Sequence, residues 1–373
     1  MADRPVLADA LKAHGVSRRG FLKYCASLTS LMALSPVMAP RVAQALESAA
    51  RPSVIWLSFQ ECTGCTESIT RSHAPTIEDL IFNTVSLDYH HTLQAASGHA
   101  AEEARTRAME ENYGKYLVVV DGSIPLGNPG YSCIAGISNL DMLKETAAGA
   151  AAIVAVGTCA AYGGIPHADP NPTGAVAVSE IIKDKPIINV PGCPPIPVVI
   201  TGVLAHFLVF GQLPELDGLG RPMAFFGHNI HDRCYRRPFY EQGKFAETFD
   251  DEGARQGWCL YKLGCKGPVT YNACATAKWN QGTSFPIQSG HGCLGCSQPD
   301  FWDQGGFYHA LSAGTSTSGV GLGVAAVAGA ALGAASALGT RSSQHEARRE
   351  VEQIVNSQPA AAGCARGGEQ GKK

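Results

Sequence analysis

Charge is scarce in this chain of 373 residues: Asp, Glu, Lys and Arg make up 16% of it, and the formal net charge is −3. No basic stripe or cluster stands out, so nucleic acid, which binds through dense positive charge, is excluded as a partner. Strongly apolar runs are scarce too. The one long uncharged stretch, residues 313–340, holds three Val and three Leu among the Ala and Gly between Gly319 and Thr340. It is long enough to span a bilayer and barely apolar enough. The steps Gly319 to Gly323 and Gly329 to Gly333 suit close helix packing in a membrane, and a Gly/Ala-rich linker fits equally well. If it spans, Arg341, Arg348 and Arg349 beyond it favour a cytoplasmic C-terminus. Residues 341–373 read as a polar tail, disordered from Ser357.

Cysteine, by contrast, is plentiful, with 13 in the chain. Ten of them, joined by one histidine, fall into three groups spaced as iron–sulfur ligands are. The first is Cys62 and Cys65 in Glu61-Cys62-Thr63-Gly64-Cys65-Thr66-Glu67-Ser68, with Cys159 and then Cys193 in Pro191-Gly192-Cys193-Pro194-Pro195. The second is His231, Cys234, Cys259 and Cys265, with His228 competing for the place of His231. The third is Cys274, Cys293 and Cys296. Two other chemistries use such cysteines. One is a Cys₄ zinc site; the other is a disulfide framework, which fits poorly in a chain with roughly 260 residues between its N-terminal signal-like segment and its tail to build a core. Cys25 falls in an N-terminal segment that is removed, and Cys133 and Cys364 stand isolated as structural or incidental residues.

The N-terminus carries Ser17-Arg18-Arg19-Gly20-Phe21-Leu22-Lys23 and an apolar run from Tyr24 to Ala39, the pattern of a twin-arginine export signal. An amphipathic helix that happens to hold two arginines is the plainer alternative. Ala43-Gln44-Ala45 places cleavage after Ala45, with Ala39 and Ala50 as other sites, so residues 1–45 are set apart from the fold. Export of a folded chain suits one that already carries metal clusters.

From Ser53 onward, β-branched runs alternate with helical stretches, which predicts an α/β fold with a parallel sheet. The runs are Val54 to Phe59, Tyr116 to Val120, Ala152 to Val156 and Ile187 to Val190. Each runs straight into a loop rich in Gly, Pro or Cys. The first-group cysteines therefore follow strand ends, and in an open parallel sheet those ends line one crevice. An apolar helix from Pro197 to Phe210 closes this unit, residues 51–210, at the breaker Gly211-Gln212-Leu213-Pro214. Residues 211–312, dense in Gly, Pro and Cys, predict a loop-rich second unit organised by its cofactors.

These motifs resemble a known family. Cys-Thr-Gly-Cys-Thr-Glu-Ser, Pro-Gly-Cys-Pro-Pro, His-x-x-Cys and His-Gly-Cys-x-Gly-Cys, spread from Ser53 to Ser312, make the chain similar to the small subunits of periplasmic and membrane-bound nickel-iron uptake hydrogenases of the standard type, as in purple sulfur bacteria. The resemblance implies a flavodoxin-like first domain and two 4Fe-4S clusters and one 3Fe-4S cluster. Cys62, Cys65, Cys159 and Cys193 would hold the proximal 4Fe-4S cluster; His231, Cys234, Cys259 and Cys265 the distal 4Fe-4S; and Cys274, Cys293 and Cys296 the medial 3Fe-4S, with Pro286 at its vacant corner. It implies a large-subunit partner carrying the nickel-iron centre, since no further Cys, His and carboxylate set is left here to hold one. Electrons would pass proximal, medial, distal to a membrane cytochrome b or another membrane redox subunit. Oxygen-tolerant relatives carry extra cysteines where this chain has Gly64 and Gly164, which implies an enzyme reversibly inactivated by oxygen. Glu61, Glu67 and Asp121 are candidate acids near the first cluster, with loop hydrogen bonding or a turn before Gly122 as the commoner roles. A stand-alone carrier, a quinone-reductase subunit related through the first domain and a zinc-stabilised binding module are the alternatives.

Overall fold

The structure is a computed structural model that describes residues 18–31, 34–48, 51–73, 75–303 and 307–310. Five strands, β1 (Ser53–Ser58), β2 (Ser86–His90), β3 (Tyr116–Asp121), β4 (Ala150–Val156) and β5 (Ile187–Val190), pair in parallel in the order β2-β1-β3-β4-β5. That is the flavodoxin-like doubly wound order. The four β-branched runs are strands, as expected. β2 carries no such run because it is a polar edge strand: Ser53 and Ser86 hydroxyls both donate to the Asp88 carboxylate there, and an edge strand needs no β-branched run.

The period of two along each strand divides its side chains between two apolar layers. Val54, Trp56, Leu117, Val119 and Val154 face one core, while Ile55, Leu57, Val118, Val120 and Ile153 face the other. The helices α1 (Gly64–Thr70), α2 (His99–Glu111), α3 (Asn139–Ala148), α4 (Gly157–Tyr162) and α5 (Pro197–Phe210) lie between and after the strands. α5 begins on Pro197 and ends on a left-handed Gly211, the start and stop chemistry expected of it.

Beyond α5 the architecture changes. Among the described residues from 211 onward, the longest helix is Arg237–Glu241, of 5 residues. Cysteines make up part of the core: Cys265, Cys274 and Cys293 are buried with Phe226, Ile230, Leu260, Phe285 and Ile287. Residues 18–31 and 39–48, expected to stand outside the fold, form helices packed against α5, with Cys25 and Val42 buried. Among the described residues no helix is long and apolar enough to cross a membrane. The 313–340 segment, the tail and Cys364 lie outside the described residues. Cys133, isolated in the sequence, is disulfide-bonded and sits exposed on a short hairpin.

Candidate functional site

The carboxyl ends of β1, β4 and β5 bring the first group together. Cys62 lies in the turn from β1 into α1, Cys65 in the first turn of α1, Cys159 in α4 directly after β4, and Cys193 in the loop after β5. Thr63 takes a left-handed φ of 66° to make the turn. Gly157, at φ +85°, has to be glycine, because a β-carbon there would stand 2.4 Å from Cys65 Sγ. Burial, then the neighbouring charges, raises these thiols: Cys65 well above its ordinary value, Cys159 to about 11 and Cys193 to about 12. Cys62 is exposed at the mouth.

Asp121 ends β3, between β1 and β4, at the floor of this crevice. The turn role suggested for it is corrected. Its fully buried carboxylate accepts from Trp56 Nε1 at 3.0 Å and Thr66 Oγ1 at 3.3 Å, so it is tied into the core and not to the turn. Burial pushes its pKa up to about 6. Glu61 lies close by: burial and then the Asp121 charge raise it to about 7, and its Oε2 is buried without a partner. Glu67 is different. It faces solvent and pairs with Arg71 at 2.6 Å, one helical turn on, so it does not belong with the buried acids.

In the second group, burial raises Cys234 and Cys265 and takes Cys259 to about 11. The buried Arg236 offsets part of this, and its amide donates to Cys234 Sγ at 3.4 Å. His231 packs edge-on against Tyr240, with ring centroids 4.6 Å apart, and burial lowers its pKa, which favours the neutral ring that can ligate. Its backbone is near Cys265: a β-carbon on Gly267 would stand 3.4 Å from Cys265 Sγ and 3.8 Å from the His231 backbone nitrogen. His228 is exposed, and its Nε2 accepts from Arg233 at 3.3 Å.

The third group lines a cavity of about 160 Å³, walled by Cys274, Cys293, Cys296, Pro286 and Cys193. Burial raises all three of its thiols, Cys293 to about 12. This group touches both of the others. Cys293 N–H donates to Cys265 Sγ at 3.3 Å, and Cys193 and Cys296 sit close enough for the charge on one to raise the other. The groups run first, second, third along the chain, but first, third, second in space.

Among the described residues, no three His, Cys, Asp or Glu side chains close on a single metal ion. The third group's thiols line a cavity together with Cys193, which suits a multi-iron core bridged by sulfide better than one tetrahedral zinc. Ionised thiolates buried together repel one another, so an iron core that neutralises them fits this donor set. Three partners lay beyond sequence reasoning. Trp56 and Arg236 carry no local signal, and Thr158, next to Cys159, stands out only as part of its loop.

Two family models match this chain. The model "NADH ubiquinone oxidoreductase, 20 Kd subunit" matches residues 62–207, and the model for the C-terminal part of the NiFe/NiFeSe hydrogenase small subunit matches residues 226–309. The uptake hydrogenase small subunit of Azotobacter vinelandii is 51% identical over 82% of this chain and 85% of its own length. The hydrogenase-1 small chain of Citrobacter freundii is 52% identical over 80% of each. Among solved structures, the NiFeSe hydrogenase of Desulfomicrobium baculatum in its reduced, active form is similar, with a TM-score of 0.66 and 36% identity over 70% of this chain and 100% of that one. With about half of its residues identical to these small subunits over four fifths of its length, the chain belongs to the family of NiFe hydrogenase small subunits.

Proposed function

We propose that this chain carries electrons out of a nickel-iron hydrogenase through three iron–sulfur clusters, with hydrogen oxidised on a large-subunit partner. Cys62, Cys65, Cys159 and Cys193 hold a 4Fe-4S cluster; His231, Cys234, Cys259 and Cys265 hold a second; Cys274, Cys293 and Cys296 hold a 3Fe-4S cluster, with Pro286 on the wall where a fourth ligand would stand. When bound, the clusters supply one-electron carriers. The chain's own residues set where those carriers sit, keep water from the buried thiols and leave Cys62 open toward the partner. Arg236 adds positive charge beside the second group, and His231 replaces a thiolate with a neutral ring; both favour the reduced state there. The observation that carries this reading is the spatial order first, third, second, with Cys193 on the wall of the third group's cavity and the Cys293 N–H bonded to Cys265 Sγ.

The domain limits proposed are 51–210 and 211–312. The twin-arginine pattern at residues 17–23 supports export to the periplasmic side of the cytoplasmic membrane, where a membrane cytochrome b or another membrane redox subunit takes the electrons.

The test is to purify the chain with its native partners, measure iron, nickel and zinc, and record low-temperature electron paramagnetic resonance of the oxidised sample. A 3Fe-4S signal is expected, with iron for three clusters and nickel that follows a copurifying large subunit. Zinc in place of iron sinks the reading; iron without a nickel-bearing partner leaves a stand-alone carrier. Gly164 adds an expectation. At φ +59°, with a β-carbon position 2.7 Å from Cys159 Sγ, it leaves no room for an extra ligand, so hydrogen oxidation by the purified complex is expected to stop in air and recover on reduction.

A further inference from the structure

The three groups are built on two different architectures, so the loop-rich unit has to be held at a set distance from the sheet. Thr158 stands at that junction. It precedes Cys159 in α4 and is 1% exposed. Its amide N–H donates to the Gly192 carbonyl at 2.9 Å, and the Gly192 N–H donates back to its hydroxyl at 2.9 Å. Thr158 thus clamps the residue just before Cys193. The hydroxyl then donates its own proton to the backbone carbonyl of Cys296, 138 residues further along the chain. One side chain therefore ties together the backbone at two first-group cysteines and one third-group cysteine. The cavity wall shows the same closeness, since Cys193 lines it beside Cys296. The other junction needs no such clamp, because Cys293 N–H meets Cys265 Sγ directly within one unit.

We infer that Thr158 is a positioning residue that sets the separation and orientation of the first and third groups, and so the rate at which an electron passes between them. The inference rests on the relay reading above. In the step concerned one electron leaves the first group and one arrives at the third; no bond forms or breaks and no proton moves. The rate then depends on how the two groups are held. Valine has the shape of threonine but can neither accept from Gly192 nor donate to Cys296, and it leaves both buried backbone groups without that partner. Serine keeps both bonds.

The experiment uses the whole enzyme, with its large subunit, carrying Thr158→Val or Thr158→Ser. Iron content and the separate cluster signals come first; their absence from the parent enzyme sinks the relay reading and, with it, this inference, whereas their presence leaves the variants to decide on Thr158 alone. Two measurements then address Thr158: the magnetic interaction between the first and third groups, and the rate at which hydrogen reduces the third group after rapid mixing. In the valine enzyme with full iron, the interaction weakens and the rate falls about tenfold, as when two net hydrogen bonds stop holding the junction; serine stays within about twofold of the parent. Valine with full iron and parent-like interaction and rate overturns the inference. So does serine with full iron and a loss as large as that of valine. If valine loses the iron of the third group alone, serine decides: parent-like interaction and rate support the clamp, and a tenfold fall refutes it.

Discussion

The sheet and the loop-rich unit hold their cysteines by different means. In the sheet, Val118, Val119 and Val120 of β3 are fully buried between two apolar layers, and the first-group cysteines follow the ends of strands that this burial already fixes. Past α5 the regular elements shrink to single turns, and Cys265, Cys274 and Cys293 are themselves core residues. One scaffold comes before its site; the other is largely made by it. The first group can therefore be lost without loss of the fold around it, whereas the second and third groups carry part of the folding free energy of their own unit.

Removal of iron breaks the comparison most sharply. A chelator-treated sample is expected to exchange its amide hydrogens rapidly across residues 211–303 while β1, β3, β4 and β5 stay protected. The difference rests on a metal contribution on the order of 10 kcal/mol, as in small metal-organised domains; equal protection in both units would show that the loops fold without metal. Next in size is the contrast between Cys274→Ala and Cys65→Ala. The first should cost the third group its iron and lower the melting temperature of the loop-rich unit. The second should empty the first group and stop hydrogen-dependent dye reduction, with the melting of the sheet little changed. Calorimetry with iron analysis separates the two.

A smaller effect belongs to the sheet alone. His90, fully buried beside Trp56 at 5.0 Å between ring centroids, has its pKa lowered from 6.5 to about 4, by burial and then by His91. Below about pH 6.5 the unfolded chain takes up a proton that the folded chain refuses. The stability due to neutral His90 is thus complete above that pH and is lost as pH falls toward 4, by about 3 kcal/mol. His90→Gln, which offers an acceptor for the Thr92 and Leu93 amides now bonded to Nδ1, should flatten the acid limb of the sheet's melting temperature by that amount. An unchanged slope assigns the acid limb to other groups. The smallest effect sharpens the picture of the second group. His228→Ala, an exposed change, should alter stability by no more than about 0.5 kcal/mol and leave the spectra as they were. His231→Ala should change the signal of the second group alone, and a spectral change with His228→Ala instead would exchange the two roles.

Much of the fold was legible because its signals are local. A β-branched run, a proline at a helix start and a glycine at its end act within a few residues, which is why β1, β3, β4, β5 and α5 fall where the sequence places them. β2 escaped because its Ser86 and Asp88, with Ser53 of β1, satisfy one another at an edge instead of filling a core. Asp121 looked like a turn residue because the glycine after it is visible in the sequence, while Trp56 and Thr66, which hold it, come from other elements.

The sequence by itself determined where the cysteines fall along the chain and the crevice that gathers Cys62, Cys65, Cys159 and Cys193, since cysteine spacing and strand ends are short-range properties of the chain. Only the tertiary structure decided the spatial order first, third, second, the burial that raises Asp121 and Glu61, and the hold of Thr158 on Cys296. Those depend on backbone groups far apart in the chain that meet only when the loop-rich unit packs on the strand ends, and no local pattern records which of them will touch.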